Sequence, residues 1–296
     1  MHRTIQRGLL PLAASALILA TGWPVPVRAG SSAAVLYESF GAAGISSLNA
    51  NTAAGLNNLF QTATNIVAGD GRVYFENGDT ISWTSANLVG VHTLIVNNTP
   101  ATGLALDAST GILYETFGSN GITALNATTG AGLANLFQTA TNIVAGNGTV
   151  YFENGATIST TSSLLVGVNT FHVNGAAPTG LALDPAAGLL FESFGANGIS
   201  SLNTATGAGV ANLFQTATNI IAGDGRVYFE NGSAIDTTST QLTGVNTFHA
   251  NGIPPAGLAL VVTTASVPEP STLGLIVSGL LCLAARRLRP FSRRRS

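Results

Sequence analysis

Six glutamates each follow an aromatic residue: Tyr37–Glu38, Phe75–Glu76, Tyr114–Glu115, Phe152–Glu153, Phe191–Glu192 and Phe229–Glu230. They recur about every 38 residues. One carboxylate per repeat, in similar strand context, suits a ring of hard oxygen ligands for a divalent cation. A pair of them suits glycoside hydrolysis, which needs two carboxylates across a sugar bond. The plainer reading is that each glutamate satisfies backbone groups or faces solvent at a strand end.

The remaining candidates are few. His172 and His249 are repeat equivalents in TFHVNG and TFHANG, but Ile95 holds that position in the first repeat, so no histidine ring forms. His92 is out of register, and His2 lies in the N-terminal leader. Asp107 and Asp184 close two GLALD segments, Val261 replaces them in the third, and both read as turn formers. There is no HExxH, G-x-S-x-G, phosphate loop or dinucleotide fingerprint. The single cysteine, Cys282, lies in a C-terminal apolar run, which leaves the body without disulfides or a thiolate nucleophile.

Charge is segregated. The chain has no lysine, and of its 11 arginines only Arg72 and Arg226 lie between residues 30 and 266. Every carboxylate but Glu269 lies in that span. An acidic body excludes the basic footprint that nucleic acid requires and suits a neutral polymer or a cation.

These residues must be positioned by a repeat. NLFQTATNI recurs unchanged at 58–66, 135–143 and 212–220, a period of 77. Each 77-residue unit (about 34–110, 111–187 and 188–262) divides again, giving six units of about 38 residues. Within a unit, short runs of β-branched, aromatic and aliphatic residues alternate with Asp-Gly, Asn-Gly and Ser-Asn-Gly turns. Four short antiparallel strands in such a length make one blade of a β-propeller. GLALD-x-x-x-G-x-L-Y-E also resembles blade openings in propellers of the YVTN and NHL-like kinds. The first unit lacks a GLALD strand and the last carries a surplus GLALVV, so residues 257–262 are expected to pair with the first unit and close a six-bladed ring over residues 30–262. An open solenoid or two-sheet array is the alternative, but it needs no complementary ends.

The two termini read as addresses. Residues 1–29 carry Arg3 and Arg7, a short apolar stretch, and small residues Val27 and Ala29 ahead of an expected signal-peptidase cut, implying Sec-type export. Residues 263–270 form a linker, 271–288 an apolar helix, and 289–296 an arginine-rich end. Arg286, Arg287, Arg289, Arg293, Arg294 and Arg295 would hold that end on the cytoplasmic side of a membrane. VPEP, then an apolar helix, then arginines, resembles the three-part PEP-CTERM sorting signal over Val267 to Ser296. The resemblance implies export in a Gram-negative bacterium that makes exopolysaccharide, an inner-membrane intermediate, and recognition by a transpeptidase-like exosortase at or near Pro268, Glu269 and Pro270. The expected destination is the cell surface or extracellular matrix, as in a biofilm.

Three closely similar repeats leave few residues that occur once, chiefly Trp83 and His92, whereas active sites usually rest on such residues. The body is therefore expected to be non-catalytic and to bind or build matrix polysaccharide through repeated weak contacts. No cofactor is expected beyond a divalent cation at the glutamates. The alternatives are a polysaccharide-acting hydrolase on the same scaffold and a structural coat protein.

Overall fold

In a computed structural model of the chain, residues 33–263 are described; the leader, the PEP motif and the apolar and arginine-rich tail lie outside them. The described residues form 24 strands in six four-stranded antiparallel sheets, with no helix among them. Blade 1 contains β1 (Ala33–Ser39), β2 (Ile45–Asn49) and β3 (Gly55–Leu59). Blade 2 is β4 (Ile66–Gly69), β5 (Arg72–Asn77), β6 (Thr80–Ser85) and β7 (Val91–Val96). Blade 3 is β8 (Gly103–Asp107), β9 (Ile112–Thr116), β10 (Ile122–Asn126) and β11 (Gly132–Leu136). Blade 4 is β12 (Ile143–Gly146), β13 (Thr149–Asn154), β14 (Thr157–Ser162) and β15 (Asn169–Val173). Blade 5 is β16 (Gly180–Asp184), β17 (Leu189–Ser193), β18 (Ile199–Asn203) and β19 (Gly209–Leu213). Blade 6 is β20 (Ile220–Gly223), β21 (Arg226–Asn231), β22 (Ala234–Ser239) and β23 (Asn246–Ala250). The last strand, β24 (Gly257–Thr263), is the inner strand of blade 1.

The surplus strand thus closes the ring. It pairs with β1 over seven residue pairs, from Ala33 opposite Thr263 to Ser39 opposite Gly257. The stretch TGAGLANLF, the nearest thing to a helix in the sequence, contains β11 instead; its glycines and polar residues suit an exposed outer strand.

The hydrophobic core is divided among the six blade interfaces. Between blades 3 and 4, for example, Ala105, Tyr114 and Ile122 meet Ile143, Val150 and Phe152. Tyrosines reinforce five of these interfaces. Each donates its hydroxyl to a backbone carbonyl just after the third strand of the next blade: Tyr37 to Ala86, Tyr74 to Ala127, Tyr114 to Ser163, Tyr151 to Thr204 and Tyr228 to Ala50. Burial pushes the Tyr37 and Tyr114 hydroxyls up to about 12, so they remain protonated donors at neutral pH. Between blades 5 and 6 the equivalent residue is Phe191, which has no hydroxyl to give.

Two predictions follow from this framework. A chain ending at Ala256 leaves β1 as an unpaired inner edge and should lose its cooperative unfolding transition; an unchanged melting curve would rule out ring closure by β24. Tyr114→Phe should cost about 1 kcal/mol, lowering Tm by about 2–4 °C in thermal unfolding.

Candidate functional site

All six inner strands run the same way along the central channel, because their first residues line one mouth and their last residues the other. The two mouths differ chemically. The wider one has a volume of about 1010 Å³ and is walled by Val67, Leu106, Val144, Leu183, Ile221 and Leu260, with Asp70, Asp107, Asp184 and Asp224 at its turns. The narrower one, about 120 Å³, is ringed in order by Asn65, Thr102, Asn142, Thr179, Asn219 and Ala256.

The six glutamates sit on β1, β5, β9, β13, β17 and β21, one strand out from the channel, and all are buried. Each carboxylate accepts an asparagine amide. In the even blades the donor stands just before the inner strand of the same blade: Asn65 to Glu76 and Asn219 to Glu230, each at 2.6 Å, and Asn142 to Glu153. In the odd blades the donor follows the outer strand of the preceding blade: Asn251 to Glu38 at 3.1 Å, Asn97 to Glu115 at 2.9 Å, and Asn174 to Glu192. Ser46 and Ser200 complete Glu38 and Glu192. The predicted carboxylate ring around one ion is therefore not what the fold builds. Each glutamate is held by an asparagine of its own blade or of the one before, and among the described residues no three of His, Cys, Asp or Glu gather closely enough to hold a metal.

Burial pushes the Glu115 and Glu153 carboxyls above the usual carboxylate range, against the lowering effect of Asn97 and Asn142; neighbouring Glu76 and Glu192 add to the rise. The other candidates are structural. Asp107 accepts the Ser109 backbone N–H and hydroxyl and the Gly148 N–H, and Asp184 accepts the Ala186 and Ala187 N–H groups, so both hold turns. His92, His172 and His249 lie on outer strands. The unrepeated Trp83 stacks on His92 at 4.3 Å with Arg72 4.1 Å above its ring, a row across β5, β6 and β7. Thr160–Asn169 and Thr237–Asn246 occupy the Trp83–His92 positions in the other repeats.

One feature of the unchanged nonapeptide was not singled out from sequence. Phe60, Phe137 and Phe214 are 89%, 86% and 89% exposed. Each follows the outer strand of an odd blade and leads toward the narrow mouth. Within the segment Leu59, Ala63 and Ile66 face inward, while Phe60, Thr62 and Thr64 are exposed, and the other two copies repeat this; the Thr64 hydroxyl donates to Glu76 at 3.2 Å. The backbone is clamped: Ala63 bridges Gly41, Ala140 bridges Gly118 and Ala217 bridges Gly195. Gly44, at φ 105°, lies directly under the Phe60 Cα, where any side chain would collide with the Leu59 carbonyl; Gly121 and Gly198 repeat the arrangement. Position in an invariant repeat was the only sequence signal, because an apolar residue beside a strand reads as core.

The turns on this face, from the β5–β6 hairpin to the outer-to-inner connections, contain one charged residue, Asp79. The opposite turns carry Asp70, Arg72, Asp107, Asp184, Asp224 and Arg226. The narrow-mouth face is thus aromatic, amide- and hydroxyl-rich, and almost uncharged.

A carboxyl raised by folding adds stability below its unfolded pKa, and that stability is lost as pH rises through the folded value. Lowering the pH through the raised folded values of Glu115 and Glu153 should therefore favour the folded state. The double variant Glu115→Gln/Glu153→Gln should show a flatter Tm–pH dependence than the parent chain; equal slopes would contradict the burial argument.

The described strands leave the C-terminal tail to be placed by comparison. The family model described as the PEP-CTERM protein-sorting motif matches residues 266–289. No curated protein matches the chain. Among solved structures, the chain is similar to one from the crystal structure of a nidogen/laminin complex, at 16% identity and TM-score 0.65, covering 78% of this chain and 99% of that one. It is also similar to the computationally designed Ika8 protein, at 15% identity and TM-score 0.50, covering 74% and 72%. At these identities the likeness concerns fold alone. The chain is a six-bladed β-propeller carrying a PEP-CTERM sorting motif, which marks it for export and membrane-associated processing by an exosortase-type enzyme.

Proposed function

We propose that the propeller is a non-catalytic, multivalent module that binds extracellular matrix polysaccharide after its tail has been processed, and that the three Phe–Thr–Thr strips are its contact surfaces. The observation that carries this reading is the exposure of Phe60, Phe137 and Phe214 in three identical, clamped segments. Burying a phenylalanine stabilises a fold by about 1.5–3 kcal/mol, so three held in water serve something other than stability. A pyranose ring offers a C–H face that packs on an aromatic ring, while its hydroxyls meet amides and threonines. The near absence of charge on this face favours a neutral polymer, and three equal surfaces suit a repeating one, since linked weak contacts multiply.

The test is retention on purified matrix polysaccharide. Phe60→Ala alone should weaken retention by about threefold, and Phe60→Ala/Phe137→Ala/Phe214→Ala by about thirtyfold, with Tm unchanged. Equal retention of the triple variant would rule out the strips. Shortening of the polysaccharide during incubation would overturn the non-catalytic reading in favour of hydrolysis. For the tail, Glu269→Ala should leave the intact mass of the exported chain uncleaved at its C-terminus.

A further inference from the structure

The three phenylalanine strips are fixed relative to one another by the closed ring. Inner strands touch in the order β4, β8, β12, β16, β20 and β24, and β24 returns to β4, so the blades follow one another in chain order. The nonapeptide copies leave β3, β11 and β19, the outer strands of blades 1, 3 and 5. Alternate blades of a six-bladed ring stand about a third of a turn apart. Within a blade the outer strand lies three strand spacings from the inner one, about 14 Å. Three evenly placed points on a circle of at least that radius are at least about 25 Å apart.

Each strip also has a direction. It leaves an outer strand at Phe60, Phe137 or Phe214 and enters the next blade's inner strand at Ile66, Ile143 or Ile220, so it runs from the rim toward the channel. The three strips therefore radiate, each pointing its own way. Opposite every odd blade stands an even one: blade 4 faces blade 1, blade 6 faces blade 3 and blade 2 faces blade 5. The connections that leave the even blades on this face, residues 97–102, 174–179 and 251–256, contain proline and no aromatic residue. A straight polymer laid along one strip and carried across the channel thus meets no second strip.

The geometry points to a trivalent cross-linker. Resting on the polysaccharide reading above, the three strips hold three separate segments of neutral polymer splayed around one propeller, instead of gripping one segment three times. The unchanged nonapeptide makes the three sites equivalent. A body with three such sites joins three chains, one with two joins a pair, and one with a single site only coats a chain. The even blades keep the sites apart, and the ring closed by β24 sets the angle between them.

The full chain, held at one copy per lipid nanodisc so that no two bodies share a particle, is mixed with the neutral fraction of the producing organism's exopolysaccharide, cut to one size. Light scattering is followed as the ratio of protein to polymer rises. Scattering should climb to a maximum and fall again at excess protein, where each polymer site has a propeller of its own. The double variant Phe137→Ala/Phe214→Ala should still bind, about tenfold more weakly, and should cluster nothing at concentrations that keep it bound. Binding without clustering at any ratio, or clustering by the folded double variant, would overturn the cross-linker and leave the polysaccharide reading standing. The rise and fall of scattering is read on the unaltered chain, so it decides the question even if a variant misfolds. Absence of binding by the unaltered chain, or equal binding by the triple variant, overturns the strip reading itself and the cross-linker with it.

Discussion

The pairing of β24 with β1 is the contact on which the ring depends. It joins residues at opposite ends of the described chain, and without it blade 1 has no inner strand. No disulfide can substitute, because the lone cysteine lies outside the body. Stability must therefore come from six apolar wedges between blades, and each wedge needs a blade on both sides. An open arc would expose two apolar faces as well as two strand edges, so closure acts on the packing of the whole body.

Within that ring the repeat is threefold more than sixfold. Odd and even blades use the same aromatic–glutamate pair differently. Even-blade glutamates are held from their own inner strand, and odd-blade glutamates are held from the neighbour before them. Both arrangements give each buried carboxylate an amide donor. Removing the asparagine would leave the anion stranded, which is why the two residue types recur together. The same alternation leaves every second inner strand preceded by asparagine and puts three amides at the narrow mouth.

Much of the architecture was legible because its signals are local. Asp-Gly and Asn-Gly mark hairpins, a 77-residue identity marks the repeat, and the missing and surplus GLAL strands mark the seam. The site was less legible because it depends on direction. The sequence places Glu38 and its equivalents once per blade, on the aromatic strand that follows the first short apolar one, but it does not say which groups meet the carboxylates. It also does not reveal that Asn97 reaches Glu115 in the next blade, a pairing set by how neighbouring sheets stack. Phe60 was hidden for a further reason: hydrophobicity predicts burial, and only the clamp formed by Gly41, Gly44 and Ala63 holds this residue outward.

The place of the last strand has a consequence for timing. β24 ends at Thr263, and the sorting motif begins at residue 266. Blades 2 to 6 can pair internally as the chain is delivered, because each is built from consecutive strands. Blade 1 cannot, since its inner strand is the last to be made and pairs across more than two hundred residues. The body therefore stays an unfinished arc until its final segment is released, and the tail that directs processing follows only a few residues behind. Ring closure and arrival of the sorting signal become consecutive steps, so the order of synthesis itself brings the finished propeller and its processing signal together.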